Sequence, residues 1–312
     1  MRIHRSSPQQ ETFSILRWID RHFLELTREI RLSYLPPLMV YLAAGISGLT
    51  GIVGTFFVKE YLGLTAEFLA GLAFWAMLPW TLKLPIGHLV DLIWRYKGWL
   101  VLLGASLIAT SIGIMIGLLD HRAAMEAILP AGSWYVISVI LAPVGYVIQD
   151  VVADAMTVEA VPGTDAEGRL LTDAQQRLMH STMQTLGRVS TIVGTLAVAL
   201  INVYMFRDVE GMRELDKVGI YLRIYEMSLV IPVISCLGVL LASVLRQRYR
   251  YRLVKLGYTR HEIDQLTHEP TQETQANWLI LGGGLIFALT SIGIGIANFH
   301  YGQEAVSYTH LT

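Results

Sequence analysis

Residues 100–119 read LVLLGASLIATSIGIMIGLL, a run of 20 residues without a charged side chain. At 1.5 Å per residue, an α-helix of that length rises about 30 Å, the thickness of the hydrocarbon core of a bilayer. The segment therefore predicts a membrane-spanning helix. Apolar segments of similar length precede and follow it. The seven predicted spans are Leu38–Val58, Ala66–Val90, Trp99–Leu119, Trp134–Val158, Thr182–Phe206, Met227–Leu245 and Trp278–Phe299.

The composition agrees with this pattern. The chain of 312 residues is 53% hydrophobic and 16% charged, whereas a soluble domain carries about 25% charged residues. An all-α, polytopic membrane protein is therefore predicted. The sequence has no phosphate-binding glycine loop, no metal-ligand spacing and no nucleophile motif. We accordingly expect no catalytic residues, no enzyme activity, no cofactor, no metal and no nucleic acid partner.

The loops differ in their content of Lys and Arg. With the N-terminus inside, 16 of these residues lie in inside segments and six in outside loops. Cytoplasmic loops are enriched in Lys and Arg, so the chain is predicted to lie in the inner (plasma) membrane with its N-terminus in the cytoplasm. Within residues 1–35, Leu16, Ile19, Phe23 and Leu26 recur at helical spacing. This favours an amphipathic helix on the membrane surface, the alternative being a soluble helix packed on a loop.

The spacing of the spans predicts a division into bundles. Residues 36–245 form a six-helix N-terminal bundle, residues 246–277 a cytoplasmic loop, and residues 278–305 the first helix of a C-terminal bundle. This is the layout of a two-bundle transporter. Residues 306–312 resemble a translated sequencing adapter, so we expect a non-native tail and a truncated chain.

Span two ends in a glycine, an aspartate four residues later and a short basic loop. These are Gly87, Asp91, Arg95 and Lys97, and their order resembles the loop signature of the major facilitator superfamily. Glycine lets a neighbouring helix approach closely, and Asp91 is expected to accept bonds from Arg95 or Lys97 as a gating latch. The alternative is a helix end with ordinary interfacial charges.

Span four carries Asp150 and Asp154, which share one helix face because they are four residues apart. Carboxylates inside a bilayer need a partner, a proton or water. By depth from the inner helix ends, Lys83 and Asp150 lie roughly 12–13 Å in, and Arg188 and Asp154 roughly 8–9 Å in. The predicted pairs are therefore Lys83 with Asp150 and Arg188 with Asp154. Asp150 is the first choice for a protonatable group, and the alternative is that both aspartates are structural members of ion pairs.

Two further features of the spans suit a flat ligand. Span one carries a stripe of glycines at three-residue spacing, which predicts either close helix packing or a smooth cavity wall. Span four offers Tyr146 and Gln149 beside Asp150 as substrate-binding groups. The glycines of the stripe are Gly45, Gly48, Gly51 and Gly54.

Three runs of sequence resemble the folate-biopterin transporter family of the major facilitator superfamily. They are FFVKEYLGL at 56–64, PWTLK at 79–83 and DVVADA at 150–155, and the resemblance extends over about residues 38–159. It implies twelve spans and proton-coupled uptake of folates or pterin-like organic anions, with a small-molecule substrate, protons and membrane lipid as partners of a monomer. Leu84 departs from the pattern, because proline is expected directly after the lysine.

Two other interpretations stay open. The muropeptide permease family shares the element QDVVADA at 149–155 and the Lys97-Gly98-Trp99 sequence after a basic loop, which implies a transporter of another organic solute. The second alternative is a non-transporting membrane assembly protein of the same fold.

Overall fold

The computed structural model describes residues 32–57, 66–93, 96–165, 168–207, 211–212, 214–267 and 275–309. The predicted surface helix within residues 1–31 and the predicted latch residue Arg95 lie outside these ranges. In the described ranges the chain is helical and has no β-strand. Seven helical segments of the described ranges are long and apolar enough to cross a membrane. The prediction of an all-α, polytopic membrane protein is confirmed.

The helices are numbered here in chain order. Span one comprises α1 and α2, span two α3 and α4, span three α5, span four α7, span five α8, span six α9 and α10, and span seven α12. Helices α6 and α11 are short connecting segments. The bounds of α1 to α12 are Leu35–Ile46, Leu49–Phe57, Ala66–Thr81, Lys83–Leu92, Lys97–Asp120, Arg122–Glu126, Ala131–Ala160, Asp173–Phe206, Glu214–Ser228, Val230–Lys255, Arg260–Leu266 and Trp278–Thr309.

Several helices extend beyond the predicted spans. Helix α8 begins at Asp173, where Thr172 and Gln175 form a reciprocal capping box that satisfies free backbone donors. Helix α10 continues to Lys255, so the first part of the predicted loop 246–277 is helical. Helix α12 continues to Thr309, into the predicted non-native tail. Hydropathy detects only the apolar part of a helix and misses turns that continue outside the hydrocarbon core.

Spans one, two and six are broken within their length. The breaks lie at Ser47–Gly48, Leu82 and Leu229. In span two, Pro79 precedes the break and Pro85 follows it. Proline has no N–H and its ring disturbs the preceding turn, which accounts for the interruption at Leu82. The break leaves Lys83 as the first residue of α4.

The first six spans pack in a pattern with internal symmetry. Span one packs against five and six, span four packs against two and three, one packs against four, and three packs against six. Exchanging spans one to three for four to six reproduces these contacts, but span four also packs against span five, and spans one and two have no comparable contact among the described residues. Span seven lies outside the set and packs on both halves of span two.

Two helix crossings depend on glycine. A Cβ atom on Gly45 would lie 3.0 Å from the Cα atom of Gly194, so spans one and five touch through their backbones. A Cβ atom on Gly145 would lie 2.6 Å from the carbonyl oxygen of Gly104, which joins spans three and four in the same way. Small residues permit such close packing in membranes.

The predicted glycine stripe is not a continuous seam. Gly45 confirms the prediction of close packing, but an added Cβ on Gly48 would make only an ordinary contact at 3.9 Å with Val198. A Cβ on Gly51 would have no neighbour within 4 Å, and one on Gly54 would lie 3.5 Å from the Tyr225 hydroxyl. The helix is interrupted at Ser47–Gly48, and among these four glycines only Gly45 lies at a close backbone contact.

Candidate functional site

Lys83 lies between the two aspartates of span four. Its Nζ atom is 2.5 Å from Oδ2 of Asp150 and 2.9 Å from Oδ2 of Asp154. The side chain of Asp150 is 17% exposed, whereas those of Lys83 and Asp154 are 39% and 50% exposed. The predicted Lys83–Asp150 pair is confirmed. Because Asp150 and Asp154 share a helix face, one lysine from the neighbouring span reaches both.

Tyr41 of span one completes this cluster. Its hydroxyl donates a hydrogen bond of 2.5 Å to Oδ1 of Asp154, so Asp154 has partners from two spans. The tyrosine ring packs over Gly187 of span five, where an added Cβ would lie 2.9 Å from the ring. Tyr41 is six residues into α1, roughly 9 Å deep, a depth close to that estimated for Asp154. Residue count along α1 is therefore a signal in the sequence for a contact between Tyr41 and Asp154. Lys83, Asp150, Asp154 and Tyr41 are called the charged cluster below.

The predicted Arg188–Asp154 pair is wrong. Within the part of the chain that the structure describes, Arg188 is exposed and forms no ion pair. It follows Gly187, which faces Tyr41, and one residue further along a helix is about 100° around its axis. Depth placed Arg188 at the correct level of the membrane, but it did not give the direction of the side chain.

The charged cluster has an excess of acid. With every group ionised, one ammonium and two carboxylates give a net charge of −1. A single proton on either carboxylate would leave a neutral lysine–aspartate pair.

Gln149 serves helix packing in the structure. Its side chain is 3% exposed, its Nε2 donates to the carbonyl oxygen of Val101 at 3.4 Å, and its Oε1 accepts from Ser235 at 3.0 Å. These bonds join spans three, four and six. Both ends of its amide are bonded within the bundle, and the predicted role of Gln149 in binding substrate stays a prediction.

Tyr146 lies one helical turn before Asp150 on span four. It packs against the main cluster of buried apolar side chains. Residues four apart share a helix face, so its position beside the charged cluster agrees with the prediction. A substrate-binding role for Tyr146 stays a prediction.

The predicted latch between Asp91 and Lys97 is wrong. Lys97 forms an ion pair with Glu159 at the end of span four, and the two side chains are only 12% and 17% exposed. Asp91 is exposed, and Gly87 makes an ordinary contact, since an added Cβ would lie 3.9 Å from Val151. The start of span three and the end of span four must lie on the same side of the membrane. The order of the spans therefore places Lys97 and Glu159 at the same end of the bundle.

Breaking the Lys97–Glu159 pair is expected to lower the stability of the protein. Removing one partner of a buried pair leaves the other charge poorly compensated, so Glu159→Gln should reduce the free energy of unfolding by about 2 kcal/mol. Thermal unfolding of the purified protein in detergent measures the loss. The double variant Lys97→Met/Glu159→Gln should recover most of it.

The matched control for this prediction is Asp91→Asn. Asp91 is exposed, and exposed substitutions typically change stability by less than about 0.5 kcal/mol. If Asp91→Asn were as destabilising as Glu159→Gln, the latch predicted from the sequence would regain support and the assignment of Glu159 as the partner of Lys97 would lose it.

No protein-family model matches the chain, nor does any curated protein or solved structure. What supports a function is therefore the charged cluster itself, its place within membrane spans, and the packing of the helices around it.

Proposed function

We propose that the chain belongs to a secondary active transporter with the major facilitator fold, and that it is a carrier rather than an enzyme. Spans one to six are its N-terminal bundle, and span seven is the first helix of the C-terminal bundle. Internal repeats of three helices are typical of this class of transporter. The symmetric packing of spans one to three and four to six supports the proposal.

The observation that carries the proposal is the charged cluster. Ionisable groups inside a membrane are costly, and they mark substrate, ion or proton pathways. One lysine and one aspartate would be enough for a structural pair, but here Lys83 is shared by two carboxylates. Lys83 and Asp154 are also 39% and 50% exposed, so the cluster opens on a face of the bundle from which a solute can approach.

Charge balance links an anionic substrate to a proton. A substrate carboxylate that binds Lys83 would make the net charge of the cluster more negative, from −1 to −2. Uptake of one proton by an aspartate displaced from Lys83 returns it to −1. The proton thus removes the electrostatic penalty of loading the anion, which is the requirement for symport. We propose proton-coupled uptake on this basis.

The proposed substrates are folate or pterin-like organic anions. Lys83 supplies a cation for a carboxylate tail, and Tyr41 and Tyr146 supply aromatic rings near the cluster. Among the described residues, no atom lies within 4 Å of a Cβ atom added to Gly51 of α2, and such open space suits a flat ring. The resemblance of residues 56–64, 79–83 and 150–155 to the folate-biopterin transporters supports the same choice.

Uptake into vesicles tests this proposal. The full-length protein is reconstituted with an acidic exterior, and accumulation of labelled folate, a reduced pterin and an anhydro-muropeptide is compared with that of empty vesicles. Saturable, pH-driven uptake of folate or the pterin supports the assignment. Uptake of the muropeptide alone would replace the substrate class and keep the transporter. Uptake of none of the three would contradict the proposed transport function.

Asp150→Asn is expected to abolish pH-driven uptake and leave substrate exchange partly intact. With Lys83 and Asp154 ionised, the substitution gives the charged cluster a net charge of zero and removes Asp150 as a site on which a proton gradient can act. Exchange needs no net proton movement and should continue. Both rates are measured in the same vesicles, with and without substrate inside.

The control for Asp150 is Asp120→Asn. Asp120 ends α5, away from the cluster, and its side chain is 51% exposed. We expect unchanged uptake in this variant. An Asp150→Asn protein with normal uptake at every pH would exclude Asp150 as the proton site.

A further inference from the structure

The exposed surface of span five has an apolar face and a polar face. The apolar face contains Ile192, Leu196, Leu200 and Val203 of α8, whose exposed fractions run from 59% to 72%. Lipid tails are as apolar as leucine, so these side chains need no protein partner in a membrane. The apolar face therefore suits contact with lipid.

The polar face is formed by Ser181, Gln184, Arg188 and Thr195, all of which are exposed. Because they are separated by three, four and seven residues, they lie within a sector of about 60° around the helix axis. Charged side chains within membrane spans almost always face the bundle interior or a water-filled cavity. The polar face therefore marks a side of span five that meets water or protein and not lipid.

The polar face lies beside the tyrosine of the charged cluster. Gly187 precedes Arg188 and contacts the ring of Tyr41, from which an added Cβ would be 2.9 Å away. Thr191, one helical turn after Gly187, donates a hydrogen bond of 3.4 Å to the carbonyl oxygen of Tyr41. Tyr41 in turn donates to Asp154. Arg188 thus belongs to the same open face of the bundle as the charged cluster.

Arg188 has no carboxylate partner among the described residues. It is exposed and forms no ion pair there, whereas Lys83 is within ion-pair distance of two carboxylates. A cation inside a membrane needs an anion or water, and a guanidinium can bind a carboxylate through two parallel hydrogen bonds. Lys83 and Arg188 therefore offer separate positions for two acidic groups.

We propose that Arg188 is a specificity-determining residue that binds a second acidic group of the transported solute. The inference rests on the proposed function, in which Lys83 binds the first carboxylate. The solute lies across Tyr41, with one acidic group toward Lys83 and the other toward Arg188. The second group needs no additional proton, because Arg188 supplies the compensating charge. Solutes with two acidic groups are therefore preferred over solutes with one.

The test compares the binding of labelled folate and labelled pteroate to the purified full-length protein. The two compounds share a ring system, but folate carries two carboxylates and pteroate carries one. Dissociation constants are measured by equilibrium dialysis in neutral detergent, and uptake of both compounds is measured in vesicles. We expect the parent to bind folate about tenfold more tightly than pteroate.

Three variants assign this preference to one side chain. Arg188→Gln should weaken the binding of folate to the level of pteroate and leave the binding of pteroate unchanged. Arg188→Lys keeps the charge but loses the planar fork, so it should retain part of the preference. The matched control is Arg177→Gln, which removes an exposed arginine of the same helix, roughly 16 Å from Arg188 along the axis. It should keep the parent's preference.

The outcomes separate this inference from the proposed function. Equal weakening of folate and pteroate binding by Arg188→Gln would overturn the inference, because it would indicate a role in packing or a pair with a carboxylate elsewhere in the protein. Equal affinity of the parent for the two compounds would also overturn it. A preference that depends on Arg188 without uptake in vesicles would support the second binding position and contradict the proposed transport.

Discussion

Lys83→Met is expected to abolish transport and to destabilise the protein. The variant keeps Asp150 and Asp154 one helical turn apart but removes the cation that both contact. Breaking a fully buried pair typically costs 3–5 kcal/mol. Lys83 is 39% exposed, and solvent screening reduces the penalty, so we expect a loss of about 1–2 kcal/mol. Thermal unfolding and vesicle uptake measure the two effects.

A charge-balanced variant separates the two effects. Lys83→Met/Asp150→Asn restores the parent's net charge of −1 and leaves only the Asp154 carboxylate, which is 50% exposed and accepts a hydrogen bond from Tyr41, so stability should largely return. Transport should stay absent, because no cation remains in the cluster to bind the substrate anion. A Lys83→Met protein with normal uptake would contradict the proposed role of the lysine.

The stability control for Lys83 is Arg188→Gln. Arg188 was predicted at a comparable depth, but it forms no ion pair within the described residues and is exposed. Its removal should change the unfolding midpoint little. Equal destabilisation by Arg188→Gln and Lys83→Met would indicate that the loss reflects removal of any cation from the spans.

Gly45→Leu is expected to prevent normal assembly of spans one and five. A Cβ at this position would overlap the carbonyl oxygen of Thr191 and lie 3.0 Å from the Cα atom of Gly194. These are backbone atoms, which cannot rotate away, so the helices must separate. Overpacking costs about 1–3 kcal/mol and occasionally more, and we expect the upper part of that range. The yield of monodisperse protein and its unfolding midpoint measure the effect.

Gly51→Leu is the matched control from the same stripe of glycines. An added Cβ at Gly51 would have no neighbour within 4 Å, and leucine has a higher helix propensity than glycine. We expect normal yield and an unchanged or higher midpoint. If both substitutions were equally harmful, the stripe would be one continuous packing seam, as the spacing alone suggested.

The sequence predicts the seven spans because a bilayer imposes a length and an apolar composition on any helix that crosses it. It also places Lys83 beside Asp150, since depth along a helix follows from residue count. Depth in the membrane is only one of the coordinates that fix the position of a side chain, and its direction around the helix axis is another. The direction of Arg188 around its helix depends on how spans one and five cross at Gly45 and Gly194, and that crossing is a property of the packed bundle.

Three other features of the structure were not predicted from the sequence, each for a different reason. Tyr41 is uncharged, so its residue type gives no electrostatic reason to expect a contact with Asp154. Glu159 lies at the end of a span, where charged side chains are common, so its position alone does not indicate a pair with Lys97. Gln149 is adjacent to Asp150 in sequence, but it points toward Val101 and Ser235 because neighbours on a helix face different directions.

The break at Leu82 gives the charged cluster a mechanical property. Lys83 begins the second half of an interrupted span, whereas Asp150 and Asp154 lie on an uninterrupted helical stretch after Pro143. Helix halves separated by a break can pivot about it, and a continuous helix resists bending. When α4 turns relative to α3, the lysine moves while the carboxylates keep their spacing. The distances from Lys83 to the two carboxylates then depend on the angle between α3 and α4. A change in the charge of the cluster would therefore favour one angle over another.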